Sequence, residues 1–285
     1  RMLSAAMAGM MVVSMTACGG SKPAETTAAA TAAETSAEES TAEETTAEAA
    51  DEAGELGGTF TVGFDQDFPP FGYVGDDGEF TGFDIEMATE CAARMGKKIV
   101  LQPIDWDAKD MELNSGAIDC IWNGFTMTGR EDEYTFSKPY VDNSIVYVVR
   151  ADSDIQTEAD LAGKHVITQA GSSALSALQD ESKADVVNSF ASLDEIADYN
   201  TAFMNLEAGT NDAIAVDIGV AQYQLTTKAD KFRMLEEPLS TEQYAIGFKK
   251  GNEELRDQVQ ATLDEMAEDG TLAEIAAKYK DYNLN

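Results

Sequence analysis

The chain has 285 residues, 44% of them hydrophobic, enough for one or two domains with their own cores once non-globular stretches are set aside. A formal net charge of −34 excludes nucleic acid as a natural partner, because a polyanion would be repelled. Three cysteines without a CxxC pair and a single histidine, His165, provide too few ligands for a zinc site and no cysteine–histidine dyad, so neither a metal nor a cofactor is expected.

Residues Leu3 to Ala17 are apolar or small, too short a run to cross a bilayer as a helix, and they end in Met15-Thr16-Ala17-Cys18-Gly19. This resembles a lipoprotein signal peptide over residues 1–18, with a lipobox in which Met15 replaces the usual leucine. The resemblance implies a diacylglyceryl group on Cys18 and a location outside the cytoplasmic membrane. The chain starts at Arg1 rather than Met, so a few further basic residues are expected upstream. Residues 19–55 are rich in Ala, Thr, Ser and Glu and contain no aromatic residue, which predicts an acidic, solvated tether. Residues 1–55 hold ten acids against two bases, so most of the negative charge belongs to the globular part.

That part opens with a strand in which Val62 and Phe64 alternate with polar or small neighbours and stop at Asp65, leaving a carboxylate where the backbone leaves the sheet. Pro69 and Pro70 stiffen the loop that carries Phe68 and Phe71. Asp76, Asp77 and Gly78 predict a turn. Gly82 and Asp84 open a helix whose apolar positions Ile85, Ala88, Cys91, Ala92 and Met95 recur at helical spacing before Gly96 ends it. Cys91 falls on the apolar face of that helix and Cys120 inside a later strand, so both are expected in the core; whether they pair stays open. His165, ahead of the strand Val166 to Thr168, is expected to face solvent.

Two segments share one spacing: MELNSGAIDCI, with Met111, Leu113, Gly116, Asp119 and Ile121, and MNLEAGTNDAI, with Met204, Leu206, Gly209, Asp212 and Ile214. Each predicts a helix stopped by a glycine and followed by an aspartate and a short apolar strand, the second half of a βαβ unit. Ser192-Leu193-Asp194-Glu195 matches a capping box and predicts a helix carrying Ile196, Phe203, Met204 and Leu206. The apolar strands Ser144 to Arg150 and Gln243 to Phe248 read as two crossings between lobes. Lobe 1 is then 56–147 plus 244–285 and lobe 2 is 148–243, with helices at Glu253 to Ala267 and Thr271 to Tyr279 returning to lobe 1.

Taken together, Gly63-Phe64-Asp65 through Pro70-Phe71, Thr81-Gly82-Phe83-Asp84, the run Asp119 to Thr128 with Asn123, Gly124 and Thr126, Arg130, Phe136 to Tyr140, Gln169 to Ser173 and the strand ending at Asp217 resemble family 3 extracellular solute-binding proteins over residues 58–282. The resemblance implies an α/β, two-lobed type II periplasmic-binding-protein fold with two crossover hinge strands. It also implies a free amino acid as ligand, a membrane permease of an ABC transporter as partner, and a monomer with no catalytic residue.

A zwitterionic ligand needs one fixed cation and one fixed anion if it is buried. Arg130 stands near the family's carboxylate-clamping arginine, although one residue is missing between Thr128 and Arg130 relative to the commoner Thr-Pro-Glu-Arg pattern; its planar fork suits two carboxylate oxygens. Ser172 and Ser173, at a helix start, are expected to add donors to the same anion, besides capping the helix. Asp217 matches the aspartate that receives the α-ammonium, with Asn123 and Thr126 as further acceptors. Asp65, Phe68, Trp106 and Gln169 are expected to form the side-chain pocket, two aromatics facing each other across it and Asp65 at the distal end. A polar or basic amino acid fits that set best. The alternatives are a dehydratase acting on prephenate or arogenate on the same fold, disfavoured because neither Asp65 nor Asp217 has a histidine or second carboxylate evidently paired with it, and a receptor's ligand-sensing domain, disfavoured because no membrane segment or output domain follows in the sequence.

Overall fold

The computed structural model describes residues 57–282; the expected signal peptide, Cys18 and the whole of the tether lie outside the described residues. The chain enters through β1 (Thr59–Phe64), whose Phe60, Val62 and Phe64 are fully buried as the alternation requires. A small antiparallel sheet follows, β2 (Asp67–Phe68), β3 (Gly72–Val74) and β4 (Phe80–Thr81), and then α1 (Phe83–Arg94), which buries Ile85, Ala88, Cys91 and Ala92. Next come β5 (Lys98–Pro103), α2 (Lys109–Ser115), β6 (Cys120–Ile121) and β7 (Tyr134–Phe136). Far along the chain, β14 (Gly247–Lys249) inserts between β6 and β7, giving the first sheet the order β5-β1-β6-β14-β7. Within it β1 runs parallel to β5 and β6, and β14 antiparallel to β6 and β7.

The second sheet has the order β10-β9-β11-β8-β12, built from β8 (Val141–Arg150), β9 (His165–Gln169), β10 (Ser192–Ile196), β11 (Ala213–Asp217) and β12 (Phe232–Met234). Its helices are α3 (Ser173–Gln179), α4 (Ala184–Ser189), α5 (Tyr199–Ala208) and α6 (Ile218–Lys228). The chain returns along β13 (Ser240–Tyr244), antiparallel to the first half of β8, and closes with α7 (Glu253–Glu268) and α8 (Thr271–Lys278) beside α1. The architecture is the two-lobed α/β arrangement expected from the sequence.

The repeated segment has the anticipated local structure in both lobes. Gly116 ends α2 and Gly209 ends α5, each left-handed at φ 81° and 76°, where a side chain would be strained. Asp119 then accepts the Thr61 N–H at 2.7 Å, and Asp212 accepts the His165 N–H at 2.9 Å, so each aspartate ties its own strand to the neighbouring one. Cys91 and Cys120 are buried free thiols, and His165 is exposed.

Two local expectations are corrected. Ser192 to Ile196 forms strand β10, pairing in parallel with β9 along its whole length, rather than the start of a helix. The cap of α5 is Asp198, which accepts the Thr201 N–H at 2.7 Å; the β9 edge recruited the capping-box segment as its partner, and tertiary pairing outweighed a local motif. The strand expected over Gln243 to Phe248 is broken at Ala245–Ile246, so that β13 pairs with the second sheet and β14 with the first. The return crossing is therefore a change of sheets within a few residues.

Candidate functional site

In parallel sheets, ligands meet proteins beyond the carboxyl ends of the strands. Here the ends of β1, β6, β9 and β11 converge on one narrow cavity of about 10 Å³, room for little more than a water molecule between the closely apposed side chains. Its walls are Asp65, Phe68, Trp106, Asn123, Gly124, Thr126 and Arg130 from the first lobe and Gln169, Ser172, Ser173 and Asp217 from the second. All of the residues singled out from the sequence for ligand contact thus come together around it.

At one end, the Gln169 side chain donates to Asp65 Oδ2 at 2.6 Å and to the Ala197 carbonyl at 2.8 Å, so a bond crosses between the lobes. The other Asp65 oxygen accepts the Asp67 N–H at 2.8 Å. Burial pushes the Asp65 carboxyl up to about 6, against the lowering effect of those hydrogen bonds. Phe68 packs on Phe71 and Tyr199, with centroids 5.6 and 6.0 Å away, and Trp106 stands edge-to-face on Phe125 at 5.8 Å. The two aromatic walls are therefore held by rings behind them.

Arg130 is half-buried, its guanidinium 5.1 Å from the Phe125 ring centroid and 3.4 Å from the Thr126 carbonyl. Among the described residues no carboxylate lies within 4.0 Å of it, Glu131 and Asp132 included. The short Thr126-to-Arg130 loop is pinned to β13 by Met127 N–H to the Gln243 carbonyl at 2.8 Å and Gln243 N–H to Thr128 Oγ1 at 3.0 Å, which keeps Arg130 on the cavity despite the missing residue. Lys109, which the sequence reading did not single out, is also buried here. Its Nζ donates to Trp106 O at 3.2 Å and across the cleft to Gly171 O at 2.9 Å. Burial and the Arg130 charge both depress its pKa.

At the opposite end Asp217 is buried, and its Oδ1 accepts from Asn143 Nδ2 at 2.8 Å and from the Tyr244 hydroxyl. Burial first, then the Glu242 charge, raise its pKa to about 7. It does not cap α6. The expected helpers divide differently from the sequence reading. Asn123 already accepts the Asp65 N–H at 2.8 Å on its carboxamide oxygen, and its Nδ2 is buried with no partner among the described residues, so it faces the site chiefly as a donor. Ser172 caps α3, accepting the Leu175 N–H at 3.1 Å. Ser173 gives its proton to Glu242 Oε1 at 3.0 Å and is left with lone pairs, an acceptor where a donor was expected.

Asn143, Glu242 and Tyr244 were missed although period-two alternation carried a signal: Glu242 and Tyr244 share the buried face of β13, and Asn143 lies between buried Val141 and Ile145 on β8. Gly124 closes the floor at φ 56°. A β-carbon there would come within 3.0 Å of both the Phe68 and Tyr244 rings, so this position requires glycine on two counts. Its N–H donates at 2.5 Å to Asp84, which reaches in from α1 rather than capping that helix, also accepts the Tyr140 hydroxyl at 2.9 Å, and has its pKa raised to about 7 by burial.

The sequence profile described as "Bacterial extracellular solute-binding proteins, family 3" matches residues 60–282. The chain belongs to that family. Among its relatives, L-cystine-binding protein TcyJ of Escherichia coli K12 is 32% identical over 225 residues, covering 78% of this chain and 82% of TcyJ. L-cystine-binding protein TcyA of Bacillus subtilis 168 is 33% identical over 225 residues, 78% of this chain and 81% of its own. The crystal structure of an ABC uptake transporter substrate-binding protein from Streptococcus pneumoniae with bound histidine superposes with a TM-score of 0.75 at 32% identity, over 79% of this chain and 94% of that one. These proteins are named for what they bind, as is the solute-binding family to which this chain belongs.

Proposed function

We propose that the protein is an extracytoplasmic receptor that encloses a free α-amino acid between its lobes and delivers it to the membrane permease of an ABC transporter. The observation that carries this reading is the polarity of one cavity, whose walls hold both a guanidinium with no carboxylate partner among the described residues and a buried carboxylate held by two neutral donors. That is the complement of a zwitterion. Arg130 takes the carboxylate, Asp217 and Thr126 take the ammonium, and Asp65 with Gln169 between Phe68 and Trp106 holds a polar or basic side chain.

Residues from both lobes must meet around the ligand, so binding is a hinge closure along β8 and β13 that removes water from charges which are weak partners when solvated. Ligand stabilises the closed form by its differential affinity for it. The acidic tether and the lipobox-like segment ending at Cys18 support anchoring by lipid to the outer face of the cytoplasmic membrane.

The test is thermal unfolding of the purified chain, stripped of ligand, against the common amino acids plus cystine and ornithine. A concentration-dependent rise of the midpoint with one polar or basic amino acid is expected. No rise with any of them would refute the reading.

A further inference from the structure

Glu242 sits on β13, the return strand between the lobes, and is 8% exposed. Its Oε1 accepts from Thr126 Oγ1 in the first lobe at 2.7 Å, from Asn143 Nδ2 on β8 at 2.8 Å and from Ser173 Oγ in the second lobe at 3.0 Å. The same Asn143 nitrogen donates to Asp217 Oδ1 at 2.8 Å, so one amide group bridges two buried carboxylates. Among the described residues no lysine, arginine or histidine lies within 4.0 Å of either one. Buried charge is ordinarily paired, and two adjacent acids without a cation describe a site that awaits one.

The hydroxyls complete the argument. Thr126 and Ser173 line the cavity, and each has one proton, which it gives to Glu242. What they turn to the ligand is lone pairs, fit for an ammonium and not for a carboxylate. We propose that Glu242 is a second counter-charge for the ligand's α-ammonium, acting beside Asp217 and fixing Thr126 and Ser173 as acceptors. This assignment rests on the amino-acid reading above. Both acids belong to one sheet, β13 and β11 each pairing with β8, so without a cation they repel one another at fixed positions, and the Glu242 charge does raise the Asp217 pKa. An arriving ammonium turns that repulsion into attraction from both hinge and second lobe.

The experiment compares wild type with Glu242→Gln, which keeps the shape and the acceptor oxygen but removes the charge. Three sets of probes are titrated calorimetrically: L-arginine, L-histidine and L-cystine; the amines formed when each loses its α-carboxylate; and the acids formed when each loses its α-ammonium. Glu242→Gln is expected to weaken the parents and the amines by about tenfold or more, the size of a close charge–charge coupling, and to leave the acids within about twofold. The ligand-free unfolding midpoint should hold or rise. Equal weakening of all three sets, or parents bound as in wild type, overturns the assignment. Should the Gln variant fail to fold, Glu242→Asp, which keeps the charge but draws it back, must show the same selectivity in smaller measure, and a uniform loss overturns it. A wild type that binds none of the amino acids is a failure of the amino-acid reading itself, visible before any variant is compared.

Discussion

Replacing Arg130 by Met separates a binding role from a structural one. Among the described residues the guanidinium makes one hydrogen bond, at 3.4 Å to Thr126 O, and lies over Phe125 at 5.1 Å. The first is at the limit of useful geometry and the second contributes about 0.5–1 kcal/mol at a part-exposed site. Met covers the same ring, so the loss of fold stability should stay near ~1 kcal/mol, or about 2–4 °C in the midpoint for a chain of this size. Binding should respond far more. A forked arginine–carboxylate contact contains two charge-assisted hydrogen bonds, each about 1.5–3 kcal/mol, and removing it leaves the ligand carboxylate without a cation.

The expected loss is therefore about 3 kcal/mol or more, at least roughly a hundredfold in affinity. Arg130→Lys keeps the charge without the fork and should fall between. Calorimetric titration with the amino acid found to stabilise the wild type measures affinity, and a thermal scan of each ligand-free variant measures the fold. An affinity within about threefold of wild type, or a midpoint lowered by more than ~8 °C, would refute the reasoning.

Two other predictions concern buried charge. Asp65, Asp84 and Asp217 have carboxyl pKa values raised to about 6, 7 and 7, so the fold holds these protons more tightly than the unfolded chain, whose carboxyls titrate near 4. Their stabilisation is complete at or below pH 4 and is lost as pH rises through about 6–7, by about 1–3 kcal/mol for each group. The ligand-free midpoint should thus be higher at pH 5 than at pH 8, with a smaller difference in Asp84→Asn; a midpoint that is flat or rises over that window contradicts the assignment. Lys109 links the lobes through its 2.9 Å bond to Gly171 O, so Lys109→Met should weaken ligand binding by about tenfold, the worth of one charge-assisted hydrogen bond, in the same titration. Unchanged affinity would show that the bond contributes nothing to closure.

Much of the fold was legible in the sequence because its signals were local. The alternation in β1, the glycine stops at Gly116 and Gly209, and the aspartates that follow them each depend on a few neighbouring residues. The walls of the cavity were legible because Asp65 and Asp217 stand at or just past strand ends, where side chains enter a cleft. Ser192 to Ile196 was misread because its capping pattern is genuine but the β9 edge needed a partner, a demand no local window contains. Lys109 and Glu242 were missed for a related reason. Each is a charged residue in a polar stretch: the approach of the lobes turns Lys109 inward to Gly171, and the pairing of β13 with β8 buries Glu242 beside Ser173 in an alternation that its charge disguised. Proton direction at Ser173 was likewise beyond the sequence, since it depends on an acid sixty-nine positions away.

The most direct test of the account is a crystal structure of the protein with the amino acid that stabilises it most. The account predicts that ligand in the cavity between the lobes, its carboxylate on the Arg130 guanidinium and its ammonium within hydrogen-bonding distance of Asp217. A ligand in the reverse orientation, or one bound outside this cavity, would contradict it.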